Sequence, residues 1–160
     1  MSSPQQRPDW NQYFFNITLE VARRASCLRR QIGAIVVRDK RIIATGYNGA
    51  PPGVRSSMEI GSCLRDERGI ASGTHHEICR GLHAEQNAIL QAARFGTPAQ
   101  GGTLYCTHQP CSICAKIIIG AGIVEVKYLY GYPDELTQEY FLEAQIPCVH
   151  YHYSKDGNSS

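Results

Sequence analysis

No stretch of this 160-residue chain approaches the roughly 18–20 consecutive apolar residues that a helix needs to cross a bilayer. No apolar run follows a basic start either, so a secretory signal is not expected. Excess charge of one sign is also missing: 16 Lys and Arg stand against 14 Asp and Glu, a formal net of +2. A net charge this small does not by itself imply a nucleic-acid partner, and none is expected. Arg23, Arg24, Arg29 and Arg30 form a local basic cluster that reads as a solvated helix end or a site for phosphate groups. Internal repeats and low-complexity segments are absent, which excludes solenoids and biased tails. What remains is the expectation of a soluble, cytoplasmic, single-domain protein with no membrane partner. Its 42% hydrophobic and 19% charged content are those of an ordinary globular domain.

Cysteine, by contrast, is plentiful. Seven in a chain without a secretion signal, and an odd number, fit metal ligation better than a disulfide framework. Two short motifs carry the chemistry: His83-Ala84-Glu85, and Pro110-Cys111-Ser112-Ile113-Cys114 one helix and one strand later. One imidazole and two thiolates give zinc three protein ligands and leave a tetrahedral position for water, as in a catalytic rather than a structural site. Zinc brings the pKa of such a water near neutrality. Glu85, two residues after the imidazole, is then free to move protons instead of ligating. The C-x-x-C spacing sets both sulfurs on one turn at a helix N-terminus, where the macrodipole and free N–H groups favour thiolate. Pro110 suits that turn because it brings no N–H needing a partner. Read singly, C-x-x-C is equally a redox pair, and H-x-E on a helix is surface decoration. Together, in this order and each opening an apolar-periodic helix, they point to catalytic zinc on His83, Cys111 and Cys114.

Periodicity places these motifs. Asp9 caps a first helix, with Gln12 in capping-box spacing. Its Trp10, Tyr13, Phe14, Ile17, Val21 and Ala25 recur at i+3 and i+4 and are expected to face the core. Ile32 to Val37 reads as a buried strand, Arg38 to Arg41 as a polar turn, and Ile42 to Tyr47 as the returning strand of a hairpin. From residue 49 to 81 periodicity is lost, and a loop that long needs a function or a staple. Leu82 to Phe95 is the next helix, with Ala84, Ala88, Leu90 and Ala92 apolar and Gly96 ending it. Thr103 to Thr107, Ser112 to Ile119 and Ile123 to Tyr130 alternate as strand, helix and strand. Pro133-Asp134 opens a last helix with Leu136, Tyr140 and Leu142 apolar, and Pro147 to Tyr151 is a short last strand. Residues 154–160 read as a polar tail. The order predicts a single α/β domain over residues 1–160, ordered from about 8 to 153, with helices on both faces of a mixed sheet.

H-x-E with P-C-x-x-C is the signature of zinc-dependent nucleobase deaminases, and its surroundings narrow the resemblance. Gly46-Tyr47-Asn48-Gly49, His83 through Ile89, Thr107 through Lys116 and Gly131-Tyr132-Pro133-Asp134-Glu135 resemble the bacterial and phage branch of the deoxycytidylate (dCMP) deaminases. The similarity to this branch of the cytidine deaminase superfamily runs from about Trp10 to Val149. It implies a three-layer α/β/α, cytidine deaminase-like fold with a mixed five-stranded sheet. It also implies zinc-dependent hydrolysis of dCMP to dUMP and ammonia, supplying thymidylate synthesis, with Glu85 as proton shuttle.

The same resemblance assigns substrate contacts to Asn48, Asn87 and Tyr132; on their own these read as an Asn-Gly turn, exposed polar surface and core. It implies a second, structural zinc on Cys27, Cys63, His76 and Cys79, tying the 49–81 loop to the first helix. His75 is the alternative to His76 there, and free thiols are the plain alternative to a metal. Cys106 and Cys148 are left for the core. Members of this branch are usually homo-oligomers, activated by dCTP and inhibited by dTTP with Mg2+. That makes Arg30 and Arg94 the candidates to contact a regulatory nucleotide, although a helix C-terminus alone accounts for Arg94. The rival expectations are a deaminase of another cytosine, guanine or adenine substrate on the same fold, and a non-catalytic zinc-bound accessory of DNA uptake.

Overall fold

In the computed structural model, which describes residues 6–131 and 134–152, the Asp9 carboxylate accepts from Gln12 N at 2.8 Å and starts helix α1 (Trp10–Ala22). Strands β1 (Gly33–Arg38) and β2 (Arg41–Tyr47) follow as an antiparallel hairpin. Asp39 and Lys40 join them with φ of 52° and 59°, the mirror-image turn that matches strand twist. Two single-turn helices come next, α2 (Ser57–Ile60) and α3 (Leu64–Glu67), then a 3-10 turn at His76–Ile78 and the longer α4 (Ala84–Arg94). Strand β3 (Thr103–His108), helix α5 (Ser112–Gly120), strand β4 (Glu125–Tyr130), helix α6 (Glu135–Glu143) and strand β5 (Cys148–His150) complete the order. The sheet runs β2-β1-β3-β4-β5. Its first three strands are antiparallel neighbours, while β3, β4 and β5 are parallel and joined by helical crossovers.

Alternation along β1 shows how the core divides. Ala34 and Val36 face one layer, Ile35 and Val37 the other, and all four are buried. On the first face they pack with α4 and join one core cluster with its Ala88, Ala115 and Ile118 of α5 and Phe141 of α6. On the second they meet α1 through Phe14 and Phe15, with Tyr105 and Leu129 beside them. The result is the expected three-layer α/β/α arrangement around a mixed five-stranded sheet. Cys106 and Cys148 do pack in or against the first core. Among the described residues no helix is long and apolar enough to cross a membrane.

The structure corrects the expected helix faces. Of the expected α1 face, Phe14 is buried and Ile17 and Val21 pack against the core, but Trp10 and Tyr13 are each 43% exposed, and Phe15, Thr18 and Ala22 are buried in their place. The reason is Gly33: a Cβ there would lie 2.5 Å from the Thr18 carbonyl and 2.7 Å from Ala22 N, so the helix rests on a bare glycine. That rotation turns Trp10 outward, stacked on Phe14 and under Lys40 Nζ at 5.2 Å. Leu90 is likewise exposed, because α4 contacts the sheet through Ala84, Ala88 and Ala92. In α6, Leu136 and Leu142 are exposed while Thr137 and Phe141 are buried. The 49–81 loop carries α2 and α3, each too short to leave a periodic signal. Tyr132 and the tail from 154 lie outside the described residues.

Candidate active site

Two helix N-termini build the site. His83 occupies the position before α4, and its backbone N–H donates to Gln86 Oε1 at 2.8 Å, which leaves the imidazole to point elsewhere. Cys111 occupies the same position before α5 with no side-chain cap, and Cys114 follows in the first turn. Gly46 on β2 lets α4 lie close, since a Cβ there would overlap the Ala84 carbonyl and Ala88 N. The three donors converge. His83 Nδ1 is 3.2 Å from Cys114 Sγ and 3.5 Å from Cys111 Sγ, and all three ligand atoms lie within 4.8 Å of one another. Zn–N near 2.0–2.1 Å and Zn–S near 2.3 Å imply an N···S edge of about 3.6 Å in a tetrahedral site. The set therefore fits zinc in both identity and spacing.

Electrostatics prepares the same donors. The Cys111 thiol is pulled down to about 3, first because Cys114 donates to it and further by His83, against burial. Cys114 moves up correspondingly as the donor of that pair and by burial. Hydrogen bonding to Cys111 outweighs burial and raises His83. Glu85 is 4% exposed, and burial pushes its carboxyl above the usual range. Its Oε2 stands 3.7 Å from Cys114 Sγ, so a carboxyl able to carry a proton adjoins the donor cluster without belonging to it.

A cavity of about 640 Å3 opens over this cluster, the size of a small-molecule site. Asn48 lines it, with its amide engaged by the chain: Oδ1 accepts from Ile32 N and Nδ2 donates to the Arg30 carbonyl, both at 2.9 Å. Asn87 does not line the cavity; its Nδ2 donates to the Tyr47 and Gly49 carbonyls at 2.8 and 3.3 Å and braces the end of β2. Arg30 lines the wall and donates to Ser72 Oγ at 3.3 Å, whereas Arg94 sits away from it beside the Phe95 ring.

Cys27, His76 and Cys79 share that wall and Cys63 is buried. The structure does not bring the four into a ligand set, because among the described residues only the His83 cluster gathers three such atoms. His76 turns instead toward His83, Nδ1 to Nε2 at 3.1 Å, and His75 pairs with Glu77 at 3.0 Å. Arg65 and His108 also line the cavity. Arg65 carries no sequence signal, being a lone residue in an aperiodic segment, whereas His108 lies within the Thr107–Lys116 stretch that carries the resemblance.

Residues 8–130 match the family described as the cytidine and deoxycytidylate deaminase zinc-binding region. ComE operon protein 2 of Bacillus subtilis is 41% identical over 142 residues, 88% of this chain and 70% of that protein. The deoxycytidylate deaminase of Saccharomyces cerevisiae is 40% identical over 130 residues, 81% of this chain and 40% of the yeast protein. The crystal structure of the dCMP deaminase of cyanophage S-TIM5 in complex with dCMP and dUMP superposes with a TM-score of 0.74 at 28% identity, covering 92% of this chain and all of that one. With the donor cluster, the fold and the match in agreement, the chain belongs to the cytidine and deoxycytidylate deaminase family.

Proposed function

We propose that this protein hydrolyses dCMP to dUMP and ammonia with zinc held by His83, Cys111 and Cys114. The observation that carries the reading is the convergence of one imidazole and two sulfurs beside the buried Glu85 carboxyl, at the floor of a nucleotide-sized cavity. Its support from relatives is the yeast enzyme's activity and the phage enzyme's complex with dCMP and dUMP. Zinc, when bound, supplies Lewis-acid chemistry that makes an attacking water acidic near neutrality. Glu85 takes a proton from that water, delivers it to N3 of the cytosine, and passes a second to the departing 4-amino group. The balance is water consumed and ammonia released. That second proton comes from the C4 hydroxyl as it becomes the carbonyl, so Glu85 ends each turnover in the protonation state in which it began.

Steady-state ammonia release from dCMP and from deoxycytidine tests this, before and after chelation and on zinc return. The reading requires dCMP turnover that is lost with the metal and restored by zinc. Turnover of deoxycytidine in preference to dCMP would favour another deaminase of the same fold. Zinc-bound protein inert to every cytosine, guanine and adenine substrate would favour the accessory role.

The family resemblance carries further proposals within this reading. Cytoplasmic dUMP supply for thymidylate synthesis, homo-oligomerisation, activation by dCTP and inhibition by dTTP with Mg2+ all belong here, with Arg30 the better placed arginine because it lines the cavity. Asn48, held at the cavity wall, is the proposed contact for the sugar. A second zinc on Cys27, Cys63, His76 and Cys79 would require the 49–81 loop to draw in and His76 to leave His83. Metal analysis checks it: two zinc ions per chain support the second site, and one removes it.

A further inference from the structure

The outermost strand β5 carries two imidazoles that the donor cluster at His83 does not use. His150 is its last residue and His152 lies two further along, so strand alternation sets both on the side where Cys148 packs against the first core. Both residues are exposed, and their ring centres lie 4.6 Å apart. His150 is held from two directions. Its ring lies flat on that of the buried Tyr128, with centres 5.0 Å apart and planes 5° from parallel. Its Nε2 meets the Leu129 carbonyl at 2.7 Å. A carbonyl can only accept, so Nε2 carries the proton and Nδ1 of the neutral ring keeps its lone pair. Among the described residues no hydrogen bond occupies that Nδ1 or either nitrogen of His152.

A histidine that binds a metal ordinarily donates its other ring N–H to a carbonyl or carboxylate, which fixes both the tautomer and the ring. His150 has that arrangement already, with Leu129 as the acceptor. The spacing of the pair agrees. Metal–N bonds of about 2.0–2.1 Å, at coordination angles of about 90–110°, put two ligating imidazole centres roughly 4.5–5 Å apart. Neutral nitrogen donors without a thiolate or carboxylate suit the ions that imidazole favours, Cu2+, Ni2+ and Zn2+. We propose that His150, through Nδ1, and His152 chelate a divalent transition-metal ion of this class at the outer edge of the sheet. Water completes the coordination, so this ion exchanges readily, unlike one held by two thiolates at His83. The site uses neither the cavity nor the 49–81 segment, and it does not depend on the dCMP reading.

Calorimetric titration of zinc-loaded protein with Ni2+ tests the pair, comparing wild type with H150A, H152A and H75A. Wild type should take up one Ni2+ that either pair variant binds roughly 100-fold more weakly, because each leaves a single imidazole in place of a chelate. H75A should match wild type, since His75 is exposed and pairs with Glu77 away from β5. Absence of Ni2+ uptake by wild type, or uptake unchanged in H150A and H152A, overturns the site. Should H150A disturb the end of β5, H152A decides alone, because His152 has no hydrogen bond among the described residues to lose.

Nitrogen-15 spectra of the imidazoles read the donor atom itself. Before the metal is added, His150 should show Nδ1 without a proton and Nε2 with one. Adding Zn2+ beyond that held at His83 should move the His150 Nδ1 resonance and leave the proton on Nε2. A metal shift at Nε2, or none at His150, overturns the assignment. A zinc ion that persists in H150A and H152A belongs to the cysteines of the 49–81 loop instead and leaves the pair without its metal.

Discussion

Glu85 combines burial with chemistry. Its carboxyl has left water for a pocket beside Cys114, and burial raises its proton affinity. Replacing it with the neutral isostere, E85Q, should therefore keep zinc while lowering kcat by about 100- to 10,000-fold, the range for a lost general acid–base group. Turnover with zinc content measured alongside checks this, and retained activity would remove Glu85 from the mechanism. Asn48 gives a different residue-scale expectation. N48A strips the acceptor from Ile32 N and the donor from the Arg30 carbonyl, so urea unfolding should show a loss of about 1–3 kcal/mol. An Asn48 that serves substrate alone would leave stability unchanged. His83, Glu85, Cys111 and Cys114 were legible in sequence because metal chemistry fixes both residue type and spacing. Arg65 was not, because a single arginine in a one-turn helix has no pattern to read.

Among the elements, α4 matters most, since it carries His83 at its N-terminus and Glu85 in its first turn. Its seating depends on Gly46, where any Cβ would overlap Ala84 and Ala88 backbone atoms. G46A should cost about 1–3 kcal/mol by overpacking. It should also lower kcat, because a shift of about 1 Å in a site can cost 100-fold. Urea denaturation and steady-state kinetics on one preparation check both effects, and wild-type values in each would show that α4 is not held there. Sequence periodicity located α1 and α4 and most of their buried residues, but misplaced Trp10, Tyr13 and Leu90. It weights large apolar residues such as Trp10 and Leu90, whereas close helix-to-sheet contact at Gly33 and Gly46 selects alanine and threonine. The mixed character of the sheet was legible from the order of elements, a hairpin followed by strands separated by helices, whereas the strand order β2-β1-β3-β4-β5 was not.

For the whole molecule, the layer under α1 has a pH signature. Tyr105 packs against Phe14 and Phe15 and donates to Asn11 Oδ1 at 2.8 Å. Burial, with help from Glu125, pushes its phenol up to about 12. The folded state thus binds the phenolic proton more tightly than the unfolded chain, whose phenol titrates near 10. Its stabilising contribution is complete below about pH 10 and is lost as pH rises toward about 12. Urea midpoints across that window should fall for wild type and fall less for Y105F. Parallel curves for the two proteins would place the phenol in water.

The catalytic proposal depends on all three layers holding the donor cluster and Glu85 together, and isotope-traced turnover measures that most directly. Zinc-loaded wild-type protein and E85Q would be incubated with dCMP in water enriched in 18O, and the nucleotide product analysed by mass. Wild type is expected to give dUMP carrying one solvent-derived 18O with an equal amount of ammonia, and E85Q is expected to give almost none. Unchanged dCMP from zinc-loaded wild type, or product formed equally well by E85Q, would contradict hydrolytic deamination at this site.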